Sequence, residues 1–101
     1  MPTTSKVLFR GAATTTTTTT LYTVPSATTT VVTEIVVTNT GPTAQTFTMA
    51  LGGINFASQI AVGGNDSTII DIKQAITATQ TIQGGASSTA LNFHISGAEI
   101  N

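Results

Sequence analysis

A chain of 101 residues with only seven charged side chains, three of them basic, has the length of one domain and too little positive charge for a nucleic-acid surface. It contains no cysteine, which excludes disulfides and thiolate metal ligation, and no stretch approaches the roughly 20 apolar residues that span a bilayer. Threonine takes the place of charge, with 24 copies, and a surface so poor in charge repels its own copies weakly and favours association.

The opening Met1-Pro2-Thr3-Thr4-Ser5 has no apolar stretch of the signal-peptide kind, so the chain is expected to be made and used without export. Residues 1–12 read as an N-terminal arm carrying a first short strand near 6–10, and residues 13–101 as a single β domain. The seven consecutive threonines, Thr14 to Thr20, are β-branched and favour extended backbone. They are expected to belong to a strand over 16–24 whose register is set by Leu21, Tyr22 and Val24, with a linker as the alternative.

A strand over 29–39 follows. Its centre, Val31 to Val37, is apolar on both faces apart from Thr33 and Glu34. That pattern suits a central strand covered by the core on one side and by a partner or loop on the other. Glu34 points to the wet face or pairs across a subunit boundary with Arg10 or Lys6. Strands over 44–51 and 54–62 alternate with period two, and Gly52-Gly53 between them is a two-residue hairpin signal. Further strands are expected over 67–72, 79–84 and 90–99, with a helical turn at Asp71 to Ile76. Turn clusters at Pro25-Ser26, Asn39 to Pro42, Gly63 to Asp66 and Gly84-Gly85 punctuate the series. About eight short strands with this spacing predict an all-β fold, a single antiparallel β-sandwich of jelly-roll-like type.

Little in the chain points to chemistry. His94 lies in Leu91-Asn92-Phe93-His94-Ile95 and faces out if its neighbours face in. It has no second histidine at a ligating distance and no acidic neighbour to orient it as a base. Asp66 fits a capped turn better than a Ca²⁺ site, since no other acid accompanies it locally. None of the glycine pairs forms a phosphate-binding loop, and the sequon Asn65-Asp66-Ser67 means little without secretion. No catalytic, cofactor or metal residue is expected. Candidates for an interface are Arg10, Thr16, Thr18, Thr20, Glu34, Asp71, Lys73 and His94.

Leu21-Tyr22-Thr23-Val24-Pro25 followed by Val31 to Asn39 resembles the opening of small all-β virion proteins of tailed bacteriophages. Ile69-Ile70-Asp71-Ile72, then Gln80-Thr81-Ile82, is similar to that family's later strand, corner and strand. Phe93 to Ile100 resembles its closing strand. The likeness runs from Leu21 to Ile100 and departs at Thr79-Gln80, where the family pattern has Gly-Asp. It implies a β-sandwich particle component without enzyme activity or cofactor, of a kind found among capsid decoration proteins and among tail or fibre components. With the low charge and the doubly apolar strand, a capsid decoration (cement) protein is expected, and a homotrimer, since decoration proteins commonly sit on three-fold axes. Its partners would be its own copies and the major capsid protein or another virion protein. It would be made in the host bacterial cytoplasm and located in the virion, with no membrane or nucleic-acid partner. The alternative is a tail, baseplate or fibre module. A reading of a different class is a binder of ordered surfaces such as ice or glycan, using Thr46-x-Thr48, Thr77-x-Thr79-x-Thr81 and the run Thr14 to Thr20. Against it stand the lack of an internal repeat and the lack of tryptophan.

Overall fold

Among the described residues eight strands form, in the order β1 (Thr3–Ala12), β2 (Thr20–Thr23), β3 (Thr29–Asn39), β4 (Gln45–Leu51), β5 (Ile54–Val62), β6 (Ser67–Ile76), β7 (Thr81–Ala86) and β8 (Leu91–Ile100). The structure is a computed structural model and describes residues 3–101. Met1 and Pro2, the start of the expected arm, lie outside the described residues. The strands make two antiparallel four-stranded sheets, ordered β1-β8-β3-β6 and β2-β7-β4-β5. Strand 1 therefore pairs with 8, 2 with 7, 3 with 6 and 4 with 5, the nested winding of a jelly-roll-like sandwich.

The core comes from the inner strands of both sheets. Val32, Ile35 and Val37 of β3, Phe47 and Met49 of β4, Ile82 of β7, and Leu91, Phe93 and Ile95 of β8 are all buried. Phe47 and Phe93 meet edge to face across the two layers, with ring centroids 6.1 Å apart, the geometry that aromatic quadrupoles favour. Asn39 is buried beside them in β3. Its Nδ2 donates to the carbonyls of Thr43 (2.8 Å) and Val62 (3.1 Å), and its Oδ1 accepts from the Gly41 amide, so the loop after β3 is tied to the end of β5.

A β-bulge explains why β3 looks apolar on both faces. The register slips between Val32 and Glu34 against both neighbouring strands. Thr30 and Val32 face the core before the slip, and Ile35, Val37 and Asn39 after it. Strict alternation would have driven Glu34 inward; the extra residue turns it to the outer face. Val31 and Val36 face outward with it and are only half-covered.

The threonine run departs from expectation. The strand expected over 16–24 is only Thr20–Thr23, and residues 14–19 fold into a tight loop. Thr14 Oγ1 lies 2.6 Å from Thr19 Oγ1, and the Thr16 carbonyl accepts from both hydroxyls, at 3.0 and 2.9 Å. Threonine hydroxyls that bond locally offer the backbone an alternative to a ladder, and seven identical residues specify no register against one. The loop still rests on β7: Ala86 N donates to Thr14 O (2.8 Å) and Gly84 N to Thr19 O (2.9 Å). This close approach needs glycine at 85, where a Cβ would collide with the Thr16 carbonyl.

Three other elements differ in extent. Asp71 to Ile76 is not a helical turn but the second half of β6, because Ile72 and Ile76 fill the core and Gln74 to Ile76 pair with β3. The expected strand at 79–84 starts at Thr81; Thr77 to Gln80 form a turn in which Gln80 Oε1 accepts from the Thr77 amide at 2.8 Å and Thr79 takes φ of 70°. Strand β1 is longer than 6–10 and pairs with β8 from Thr3 to Ala12. The Gly52-Gly53 hairpin forms, with φ of 58° and 84°, as a tight two-residue turn demands.

Candidate interaction surface

Cross-strand register places five of the eight sequence candidates on one surface. On the outer face of β1-β8-β3-β6, Arg10 of β1 stands opposite His94 of β8; His94 stands opposite Val36 of β3; and Val36 stands opposite Ile69 of β6. One row along, Val7, Ser96, Glu34 and Asp71 are aligned in the same way. Lys73 lies beside Asp71, its Nζ 3.4 Å from Oδ1. The other ion pair among the described residues is Lys6 with Glu99, so Arg10, Glu34 and His94 are left without one. Within the chain Lys6 is turned to Glu99, and Glu34 lies on the outer face.

This face is also apolar between its charges. Ile69 is 64% exposed and Val7 45% exposed, with Val31 and Val36 half-covered between them. A shallow depression opens where the bulges of β1 and β3 flank β8, lined by Ser5, Val7, Thr33, Ser96 and Gly97. It has room for a side chain from outside and little chemistry of its own. The sheet ends at β1 and β6, both unpaired along their outer edges. In the other sheet the edge strand β5 carries no charge and exposes Ile54, Phe56 and Ile60.

Thr16, Thr18 and Thr20 sit elsewhere, in and after the loop on β7. A cleft of about 230 Å³ opens beside that loop, lined by Thr15, Thr17, Thr46, Thr48, Gln59 and Ser87. Its walls offer hydroxyls and an amide but no titratable group. Thr46 and Thr48 face outward on β4, whereas Thr77 and Thr79 lie in a turn and only Thr81 in a strand. The threonines therefore do not form one flat array. Among the described residues, no three His, Cys, Asp or Glu side chains gather as a metal site would require.

One polar cluster escaped the sequence reading. Glu99 of β8 faces inward at the end of the sandwich, where the Tyr22 hydroxyl donates to it and also lies 2.8 Å from Thr30 Oγ1. Lys6 Nζ stands 3.4 Å from its carboxylate. The Tyr22 bond, aided by Lys6, holds the Glu99 carboxyl below the usual carboxylate range. Burial, and then the bond to Glu99, pushes the Tyr22 phenol above its ordinary value near 10. The signal was the alternation of β8, which puts Glu99 on the same side as Leu91, Phe93 and Ile95. The cluster closes the sandwich mouth by joining β1, β2, β3 and β8.

No family model, curated protein or solved structure matches the chain.

Proposed function

We propose that this chain is a structural component of a bacteriophage particle, a capsid decoration (cement) protein that associates with its own copies and binds the capsid lattice. The observation that carries the reading is the open outer face of β1-β8-β3-β6, where unpartnered charges surround exposed Val7 and Ile69. Exposed apolar area rimmed by polar groups marks a contact surface, and the free edges of β1, β5 and β6 add backbone groups that an adjoining chain can pair with. The likeness of residues 21–100 to small virion proteins of tailed phages supports the same role. The winding supports it only by analogy, because jelly-roll sandwiches build viral coats and also lectins and cupins.

On this reading the protein works by binding rather than by turnover, its partners are the major capsid protein and its own copies, and its place is the virion. The threonine loop is a hydroxyl-covered rim held against β7 rather than a strand for augmentation. Quantitative mass spectrometry of purified particles tests the proposal. A copy number in proportion to the major coat subunit is expected. Absence from the particle contradicts the proposal, and a handful of copies moves the protein to the tail or baseplate.

A further inference from the structure

The charges on the outer face of β1-β8-β3-β6 are unevenly placed across its strands. Arg10 of β1 stands beside His94 of β8, while two carboxylates, Glu34 and Asp71, stand directly opposite each other on β3 and β6, with Lys73 next to Asp71. Within one chain the Glu34–Asp71 arrangement is unfavourable, since like charges directly opposite across strands repel. Lys73 offsets part of the acidic side, but its contact with Asp71 is long and both groups are more than three-quarters exposed, so it holds Asp71 weakly.

We propose that this face is a contact between two copies of the chain, related by a two-fold axis running along the strands between β8 and β3. Such an axis lays β1 of one copy over β6 of the other, and β8 over β3. Arg10 then faces Ile69 of the second copy with Asp71 one residue pair farther along, roughly 7 Å away and within an arginine's reach. His94 faces Val36 with Glu34 at the same offset. Every contact occurs twice, which is the self-complementarity that an isologous interface requires. Val7, Val36 and Ile69 supply apolar area between the charges, and the depression beside Ser96 and Gly97 has room for a side chain of the opposing sheet.

The arrangement deepens the assembly reading above by naming the partner on this face. It differs from the homotrimer expected of a decoration protein: a three-fold ring joins two different patches and leaves this face without its like opposite it.

Charge exchange tests it. The wild-type chain is expected to sediment as a dimer at micromolar concentration. R10E or D71R alone should weaken the dimer by about tenfold or more, because each places two like-charged contacts across the axis. The double variant R10E/D71R should recover most of the loss, since the pairs are restored with signs reversed. Ile69→Lys, at an exposed position that the fold does not need, should give a folded monomer. A wild-type mass of one chain, or of three, overturns the two-fold contact, as does failure of the double variant to recover while the single variants remain folded by circular dichroism. These results leave the copy number in particles untouched, so this contact and the virion role fail separately.

Discussion

Glu34 and Asp71 stand directly opposite each other across β3 and β6, two carboxylates on an open sheet face. The bulge at Val32–Glu34 creates this pair, because it turns Glu34 outward just where β6 presents Asp71. A cross-strand pair of like charge is destabilising by roughly 0.2–1 kcal/mol. Glu34→Gln should therefore stabilise the dilute, unassociated chain by about 0.5 kcal/mol, seen as a higher urea midpoint at unchanged slope. A loss of stability would mean that Glu34 has a favourable partner within the chain.

The Tyr22–Glu99 contact gives the fold a defined acid response. Glu99 titrates lower in the folded chain than in the unfolded one, so its contribution is present above the ordinary carboxylate range and is lost as pH falls through the folded value. Tyr22 titrates higher when folded, so its contribution is present below pH 10 and is lost as pH rises through the folded value. Tyr22→Phe leaves Glu99 without that donor and should cost about 1–2 kcal/mol at neutral pH. The loss should shrink in acid, where Glu99 is protonated in both states. A pH-independent loss, measured by denaturant unfolding, would place the effect in packing instead.

Phe93 is fully buried and touches Phe47 across the sandwich. Phe93→Ala should cost about 3–5 kcal/mol, a large share of the total stability of a domain this size. Calorimetry should show either a sharply lowered Tm or no cooperative transition. A loss below about 1 kcal/mol would contradict this packing.

Gly85 admits the threonine loop. Gly85→Ala puts a Cβ where the Thr16 carbonyl now lies, so the loop must move away. The Ala86 amide, bonded to Thr14 O, and the Gly84 amide, bonded to Thr19 O, should then exchange with solvent much faster, while the buried ladder of β3 and β8 keeps its protection. Unchanged exchange at residues 84 and 86 would show that the loop does not depend on this glycine.

How much of this was readable from the residues depends on how local the cause is. The alternation of β4, the Gly52-Gly53 turn and the outward position of His94 follow from side chains a few residues apart, and they appear as expected. The failures have non-local causes. Thr14 to Thr20 contain nothing that distinguishes a strand from a loop; the decision lies in Gly84 and Gly85, more than sixty positions away. Asp71 to Ile76 extends as a strand because β3 supplies a bulged partner for it. The interface candidates Arg10, Glu34, Asp71, Lys73 and His94 could be named one by one from the sequence, but only the register β1-β8-β3-β6 shows that they share a face. Glu99 was passed over because its inward position depends on the sandwich closing around it.

The central claim is that the outer face of β1-β8-β3-β6 is covered by a second copy. The chain has no cysteine, so a single introduced thiol reports cleanly on what lies opposite it. Ser96→Cys, beside the proposed axis, should be joined to its counterpart by a short bismaleimide and run as a covalent dimer, while Ala61→Cys on the exposed edge strand β5 should remain a single chain under the same conditions. Equal yields from both positions, or no dimer from Ser96→Cys, would contradict the claim.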